Sequence, residues 1–244
     1  MNAVIITKVR NSADVIESFI RHHAPIAGRF VIILHRSTDE THLILKRLIN
    51  SGFQIEIRWD DREEHNHARA INEVLDRVRE STPSYIIPLD SDEFIVGWES
   101  LAQQLPEDHS AILYLPWRTY VPTQSDDMSI CLPYRIEYYR EIELKQYYKV
   151  CIPGKALQQI KGVTEGNHNV RFLNSANVQK LYSQSTYIAH FPVRTPQQIL
   201  EKIKLHWQAR LANPQRKPRQ SAHIKKLYDK FSNYSEISRE DIHE

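Results

Sequence analysis

The sequence predicts a single α/β domain in which a mainly parallel sheet is flanked by helices. Short apolar runs alternate with amphipathic helical segments through residue 96, and such alternation is typical of parallel strands joined by crossover helices. A length of 244 residues is enough for one buried core. Because ligands of these sheets bind at the carboxyl ends of the strands, Asp39 and Asp90 should lie on the same side of the sheet.

Four strands and three helices are predicted in this first part of the chain. The strands are apolar runs at residues 4–7, 30–34, 55–59 and 85–89. The first and third helices cover residues 14–23 and 63–80, where apolar side chains recur at helical spacing. The second helix follows possible N-cap residues at 37–39 and ends before Gly52, because glycine tolerates the left-handed conformation that terminates helices.

The second part of the chain has weaker periodicity. Residues 112–116 are predicted to form a strand, and residues 117–195 are interpreted as sheet extension and loops. A helix should begin at Pro196, because Ile199, Ile203 and Trp207 recur every four residues. Residues 201–230 hold nine lysines and arginines against two acidic residues. We therefore divide the chain into a main domain at 1–195, with halves at 1–96 and 97–195, and a basic helical extension at 196–244.

Composition narrows the functional class. A formal net charge of +2 argues against a strongly basic nucleic-acid-binding protein, so no nucleic-acid partner is expected. Two cysteines, Cys131 and Cys151, make neither a disulfide framework nor a metal motif, which favours a reduced, cytoplasmic compartment. The apolar runs are all far shorter than the roughly 20 residues that a membrane helix needs.

Residues 88–94, Pro-Leu-Asp-Ser-Asp-Glu-Phe, form the most specific pattern in the chain. Apolar residues lead to the sheet edge, where Asp90 and Asp92 follow two residues apart. Paired carboxylates in an extended turn can bind one hard cation, Mg²⁺ or Mn²⁺, and a diphosphate supplies further oxygens. A solvated turn or helix cap is the alternative interpretation, which the position after the fourth strand disfavours. We expect Asp92→Asn to leave stability little changed or higher, because the cluster loses one charge.

Four short motifs follow one another in order: Lys-Val-Arg-Asn at 8–11, Ser-Thr-Asp at 37–39, Ala-Arg-Ala-Ile-Asn at 68–72 and Leu-Asp-Ser-Asp-Glu-Phe at 89–94. Together they resemble a branch of the family 2-type glycosyltransferases, which have the Rossmann-like glycosyltransferase A fold. His-Phe-Pro-Val-Arg-Thr at 190–195 resembles the segment that ends the catalytic region of this branch. The resemblance implies transfer of a sugar from a nucleotide-diphosphate donor.

The resemblance also implies roles for individual residues. Asp90 would contact the ribose or the metal, Asp92 would ligate the metal, and Arg69 would lie near the diphosphate. The donor-binding set is Thr7, Asp39, Asp60, Asp61, Arg69 and Asp90, with Asp60 or Asp61 near the base. Two positions depart from the family pattern, since Leu34 replaces an aspartate and Ser12 replaces a glutamate. Both positions usually help to bind the nucleoside, so the donor base and sugar stay open.

Residues after 96 should complete the site. Glycosyltransferases of this fold often place a late histidine on the metal or phosphate, and His168 and His190 are equal candidates, with a structural role as the alternative for each. His65 and His67 should face different directions on a helix and not share a metal. An inverting transferase also needs a carboxylate base for the acceptor hydroxyl. The candidates, among which we prefer Glu165 and Asp127, are Asp126, Asp127, Glu137, Glu141, Glu143 and Glu165.

The main hypothesis is inverting, metal-dependent sugar transfer to a hydroxyl of a glycan or glycolipid, in cell-surface glycan synthesis, with Mn²⁺ or Mg²⁺ as cofactor. One alternative is a non-catalytic nucleotide- or glycan-binding protein with a degenerate donor site. Another is a different nucleotide-sugar enzyme such as a nucleotidyltransferase, although the sequence lacks the Gly-rich loop common in those enzymes. We interpret the basic segment 201–230 as a solvated face, with peripheral contact to the inner membrane face as the alternative.

Overall fold

The computed structural model describes residues 2–63, 66–81, 83–105, 111–123, 126–127, 136–173, 178–211 and 222–231. The helices in these ranges are α1 (Ile16–His23), α2 (Thr41–Asn50), α3 (His67–Val78), α4 (Pro196–Leu211) and α5 (Ala222–Phe231). The strands are β1 (Ala3–Val9), β2 (Ala27–His35), β3 (Ile55–Asp60), β4 (Tyr85–Pro88), β5 (Glu93–Val96), β6 (Ala111–Thr119), β7 (Tyr148–Pro153), β8 (Ile160–Val163), β9 (Val170–Phe172), β10 (Gln179–Tyr182) and β11 (Tyr187–His190).

Nine of these strands form one mixed sheet in the order β3-β2-β1-β4-β7-β6-β11-β5, with β10 paired to β6. Strands β1 to β4 are parallel to one another, as predicted. Beyond β4 the sheet becomes mixed, because β7 runs antiparallel to both β4 and β6. Strands β8 and β9 form a separate antiparallel pair. The predicted fold class is confirmed.

Two apolar layers enclose the sheet because side chains alternate between its faces. On one face, Ile5 of β1 packs in a cluster with Phe19 of α1 and Leu45 of α2. On the other face, Ile6 packs with Ile71 of α3. Because β1 is buried along its whole length, residues 3–6 form a continuous hydrophobic run rather than an alternating one. Helix α3 and helices α1 and α2 therefore cover opposite faces of one sheet.

Local side-chain chemistry explains where the predicted boundaries shift. The helix predicted over 63–80 begins at His67, because the side chain of Asn66 caps it by accepting a hydrogen bond from the Arg69 backbone N–H. Gly52 after α2 has a φ of +95°, as predicted for a glycine at a helix end. The strand predicted over 112–116 extends to Thr119. None of the described helices is long and apolar enough to cross a bilayer.

Candidate active site

The carboxyl ends of the parallel strands open into a cavity of about 450 Å³. Lys8 near the end of β1, Asp39 after β2, and Asp90 and Asp92 after β4 all line it. Asp39 and Asp90 therefore lie on the same side of the sheet, as the strand–helix alternation predicted. Helix α4 also contributes to the lining, with Lys202 among its residues. The cavity thus brings the predicted aspartate loop together with the basic C-terminal segment.

Asp60 at the end of β3 lies in a buried ion-pair cluster. Its Oδ2 is 2.9 Å from Lys8 Nζ and its Oδ1 accepts a hydrogen bond of 2.6 Å from Arg62. Burial opposes ionisation of this carboxyl, but the hydrogen bonds from Arg62 and Lys8 outweigh it and lower its pKa. Nδ1 of His35 donates to the Asp60 carbonyl oxygen at 3.1 Å. Asp60 itself does not line the cavity, but its ion-pair partner Lys8 does.

Asp39 joins the loops that follow β1 and β2. Its Oδ2 accepts from the backbone N–H of Ala13, and its Oδ1 accepts from both the N–H and the hydroxyl of Thr41. The Thr41 N–H is one of the free donors at the start of α2, so Asp39 also supports that helix end. Asn11, with a φ of +49°, accepts from the Thr38 N–H. These contacts fix the rim of the cavity.

Asp90 is paired with a buried lysine. Lys149 of β7 is fully buried, and its Nζ donates to Asp90 Oδ2 at 2.9 Å and to the Gly166 carbonyl at 2.7 Å. Glu93 Oε2 lies 3.0 Å from the same ammonium and accepts from the Asp90 N–H. Nε2 of His67 lies 3.3 Å from Asp90 Oδ1. Asp90 therefore already has a resident counter-charge.

The protonation states in this cluster follow from burial and charge together. Burial opposes ionisation of Asp90, yet the Lys149 charge outweighs it and lowers the pKa of Asp90 to about 2. Burial alone would lower the pKa of Lys149, but Asp90 and Glu93 raise it. Glu93 differs, since burial raises its pKa well above the usual range. Asp90 and Lys149 thus form a buried ion pair at neutral pH.

Asp92 has different partners. Its Oδ2 accepts from Lys202 Nζ at 3.0 Å and lies 3.5 Å from Arg194 Nη1, while its Oδ1 lies 3.9 Å from His190 Nε2. Burial opposes ionisation, but the Lys202, His190 and Arg194 charges outweigh it and lower the pKa of Asp92. The backbone carbonyl of Asp92 accepts from the Phe191 N–H, which ties the aspartate loop to the end of β11.

His190 presents a neutral imidazole to this carboxylate. Its ring stacks on Trp117 at a centroid distance of 4.1 Å. Burial lowers the pKa of His190 to about 4, so the ring is uncharged at neutral pH. Among the described residues, its Nδ1 has no hydrogen-bond partner. A neutral imidazole is the form of histidine that binds metals.

Besides Asp60, three of the predicted donor residues lie outside the cavity lining. Thr7 is fully buried within β1. Asp61 is exposed, and it is not a lining residue. Arg69 lies on the outer face of α3, where its Nε is 3.0 Å from Glu73 Oε1. Its role at the diphosphate therefore stays a prediction from the resemblance.

The predicted bases and the second candidate histidine also lie outside the cavity lining. Glu165 Oε2 accepts from the Ala68 N–H at 3.1 Å, which satisfies a free donor at the start of α3. Nδ1 of His168 donates to the Tyr148 carbonyl, and burial lowers the pKa of His168 to about 4. Asp127 is exposed. Of the two histidines, His190 is the one that lines the cavity with Asp92.

The basic side chains of the site were not identified from the sequence. Lys149 stands in the apolar run Tyr-Lys-Val-Cys-Ile-Pro of β7, and a charged residue inside such a run is a signal that it has a buried partner. Arg194 belongs to the segment 190–195 but had no assigned role. Lys202 could not be singled out among nine basic residues without the orientation of α4.

The donor set around Asp92 fits a divalent cation. Asp92 Oδ1 and His190 Nε2 line the same cavity and face each other at 3.9 Å; the carboxylate oxygen is a ligand that suits Mn²⁺ and Mg²⁺, and a neutral imidazole is a common ligand of transition metals. Within the described ranges, His, Cys, Asp and Glu side chains nowhere form a group of three or more that could hold a metal. Two protein ligands leave the remaining positions to diphosphate oxygens and water, the usual arrangement for Mg²⁺ at nucleotide sites.

Comparison with known proteins agrees with this geometry. The model of glycosyl transferase family 2 matches residues 4–162. A structure of S. aureus TarS 1–349 in complex with UDP superposes with a TM-score of 0.50 at 14% identity, over 96% of this chain and 71% of that chain. The structure of the mannosyltransferase PcManGT from Pyrobaculum calidifontis, in complex with GDP-Man and Mn²⁺, superposes with a TM-score of 0.50 at 11% identity, over 93% of this chain and 69% of that chain.

None of the curated proteins compared matches the chain. The two structural likenesses establish the fold alone, because their identities are low. The family model carries more weight, since it covers well over half of the 244 residues and includes β1 to β4 and the aspartate loop. The chain belongs to glycosyl transferase family 2, and it is a nucleotide-sugar glycosyltransferase with the glycosyltransferase A fold.

Proposed function

We propose that the enzyme transfers a hexose-type sugar, with inversion, from a nucleoside-diphosphate donor to a hydroxyl of a glycan or glycolipid. The observation that carries the proposal is the cavity wall around Asp92. There a carboxylate oxygen and a neutral imidazole nitrogen face each other, and two cationic side chains, Lys202 and Arg194, lie within 3.5 Å of the same carboxylate. A diphosphate needs such a combination of metal ligands and positive charge.

We assign the metal to Asp92 and His190. When bound there, Mn²⁺ or Mg²⁺ would act as a Lewis acid that stabilises the negative charge of the leaving diphosphate. Asp90 has a different environment, because the buried Lys149 ammonium contacts its Oδ2 and neutralises its charge. Its Oδ1, which lies 3.3 Å from His67 Nε2, is the oxygen that we assign to the donor ribose. The second metal candidate, His168, is held instead by the Tyr148 carbonyl.

The transfer step needs charge stabilisation and a base. The bond between the anomeric carbon and the phosphate oxygen breaks, and its electron pair leaves with the diphosphate. The acceptor oxygen then bonds to the anomeric carbon while its proton moves to a carboxylate. Arg194 lies at the cavity with its guanidinium oriented by Asp14, at 2.7 Å and 3.2 Å, and adds positive charge beside the leaving group.

Glu165 and Asp127 are the carboxylates that we propose as alternative bases. Glu165 belongs to the turn Glu165–Asn167, whose Gly166 carbonyl contacts Lys149 directly beneath Asp90. Asp127 belongs to the connection between β6 and β7, in the half of the chain that we assign to the acceptor. Glu165→Gln and Asp127→Asn would distinguish them, because loss of the true base lowers kcat and removes the acid limb of its pH profile.

The test of the proposed activity is slow hydrolysis and transfer with a panel of nucleotide-sugars in the presence of Mn²⁺. The Pyrobaculum structure holds GDP-Man and Mn²⁺ and the TarS structure holds UDP, so guanosine and uridine diphosphate sugars are the first donors to test. We expect release of nucleoside diphosphate from at least one donor, faster with a sugar acceptor. Failure to bind or cleave any of these donors, with or without Mn²⁺, would overturn the proposal.

We further propose a cytoplasmic location. Lys225, Lys226 and Lys230 on α5 are exposed, in agreement with a solvated basic face. Peripheral contact of this face with anionic lipid headgroups is the alternative, in which each lysine would contribute about 1 kcal/mol. Sedimentation with vesicles containing anionic lipid would separate the two interpretations, because a merely solvated face leaves the protein in the supernatant.

A further inference from the structure

Polar contacts attach helix α4 to the aspartate loop. The apolar residues Leu200 and Ile203 pack with Phe231 of α5 in a cluster separate from the two clusters that cover the sheet. Towards the cavity, Lys202 Nζ donates to Asp92 Oδ2 at 3.0 Å and to the Pro192 carbonyl at 3.2 Å. The position of α4 is therefore coupled to the charge on Asp92.

Lys202 and Arg194 both lie near Asp92, but they are held differently. The Arg194 side chain is 5% exposed, and its guanidinium makes two hydrogen bonds to Asp14 and one to the Phe191 carbonyl. The Lys202 side chain is 28% exposed and ends in a single ammonium on a flexible four-carbon stem. Arg194 is therefore the fixed cation of the site, and Lys202 is the cation that can exchange partners.

A charge argument shows when Lys202 would exchange. Asp92 carries one negative charge, to which Lys202 makes the closest cationic contact and Arg194 the next. A divalent ion on Asp92 neutralises that charge and repels the neighbouring ammonium. The diphosphate brought by the donor offers several anionic oxygens in the same cavity of about 450 Å³, which Lys202 also lines. The favourable new partner of the ammonium is then a phosphate oxygen.

We propose that Lys202 is a donor-binding residue whose ammonium leaves Asp92 and pairs with the donor diphosphate, so that α4 forms part of the donor site. This inference rests on the proposed function. Under this proposal, Lys202 of the C-terminal segment supplies a positive charge to the leaving diphosphate. The segment would then take part in donor binding and would not be only a basic extension of the domain. The chemical class that Lys202 recognises is a nucleoside diphosphate, and the uncharged nucleoside gains nothing from it.

The experiment compares Lys202→Met, Lys202→Arg and the matched control Lys204→Met, which changes a lysine of α4 that does not line the cavity. Titration calorimetry measures binding of UDP and GDP, of uridine and guanosine, and of Mn²⁺ alone. Lys202→Met should weaken binding of the preferred nucleoside diphosphate about tenfold or more, since a charge-assisted hydrogen bond is lost. Lys202→Arg should recover most of this loss, and Lys204→Met should bind like wild type.

Two further readouts separate a binding role from a structural one. Without nucleotide, Lys202→Met should bind Mn²⁺ at least as tightly as wild type, because a competitor for Asp92 is gone. Nucleoside affinity should not change. Equal diphosphate affinity in wild type and Lys202→Met would overturn the inference while leaving the proposed function intact, as would a parallel loss of nucleoside and Mn²⁺ binding. A wild-type protein that binds neither UDP nor GDP would instead overturn both.

Discussion

Asp92→Asn separates a metal ligand from a residue that merely shapes a turn. The substitution keeps the size of the side chain and removes its charge. In the folded protein it weakens the contacts to Lys202 at 3.0 Å and to Arg194 at 3.5 Å. Hydrogen bonds to charged groups contribute about 1.5–3 kcal/mol, and the asparagine oxygen still accepts from Lys202, so we expect a loss of about 1–2 kcal/mol in unfolding free energy at pH 7.

This sign is opposite to the one expected from the sequence. Two aspartates two residues apart suggested repulsion, which a lost charge would relieve. In the structure each aspartate faces its own cation, Lys149 for Asp90 and Lys202 for Asp92, so the attraction dominates. Because the folded pKa of Asp92 is lowered, its stabilisation is fully present above the unfolded value of about 3.9 and is lost as pH falls through the folded pKa. The stability difference between wild type and variant should therefore be constant from pH 7 to about pH 5 and shrink below about pH 4.

The functional assay is titration of nucleoside diphosphate with and without Mn²⁺. Mn²⁺ should raise the affinity of wild type and not that of Asp92→Asn, and transfer should fall about a hundredfold or more. Asp76→Asn, on the exposed side of α3, is the matched control and should keep the full metal effect. Equal enhancement by Mn²⁺ in wild type and Asp92→Asn would refute the assignment of the metal to Asp92.

Three other substitutions test neighbouring parts of the site. Lys149→Met leaves the Asp90 carboxylate without its buried counter-ion and should lower the free energy of unfolding in urea by about 3–5 kcal/mol; a loss below 1 kcal/mol would contradict the ion pair. Between pH 6.5 and about 4, His190 takes up a proton in the unfolded chain but stays neutral in the folded protein, so it lowers wild-type stability as pH falls. His190→Asn should make the pH slope of the unfolding free energy shallower by the equivalent of roughly one proton. An unchanged slope would argue against the lowered pKa of His190. Glu165→Gln should lower stability by less than about 1 kcal/mol, since the amide oxygen still caps α3, and a fall in kcat without a stability change would identify Glu165 as the base.

The first part of the fold was predictable because local patterns determine it. The apolar runs of β1, β2 and β4 pack between two helical layers and β3 lies half-buried at the sheet edge, so these short runs differ in length and spacing from the amphipathic pattern of α1 to α3. The mixed half was not predictable in the same way. β7 lies between β4 and β6 although it follows β6 in the chain, and strand order of this kind depends on long-range pairing rather than on local sequence.

The candidate site divides in the same manner. Asp90 and Asp92 are adjacent to a strand end, and their position in the crevice follows from the topology of parallel sheets. Their counter-ions come from β7 and α4, 59 and 110 residues further along the chain. Sequence motifs consist of residues that are near one another in the chain, so the carboxylates could be identified from the sequence and the distant lysines that pair with them could not. Glu165 was selected from the sequence as a base, and the sequence did not indicate that its carboxylate also accepts a hydrogen bond from the Ala68 N–H, 97 residues earlier in the chain.

The burial of these lysines explains how two aspartates in one short turn can have different roles. Lys149 is fully buried and also held by the Gly166 carbonyl, so its pairing with Asp90 cannot be exchanged without leaving a buried charge unsatisfied. Lys202 is partly exposed and comes from a helix with its own small core, so its ammonium can move to another anion in the cavity while Arg194 stays beside the buried Asp92. In the proposed site Asp90 is thus the fixed acceptor, and Asp92 is the carboxylate that would bind the metal. Lys202→Met should therefore bind Mn²⁺ at least as tightly as wild type, whereas Lys149→Met should change mainly stability, because only Lys202 would compete with the metal for Asp92.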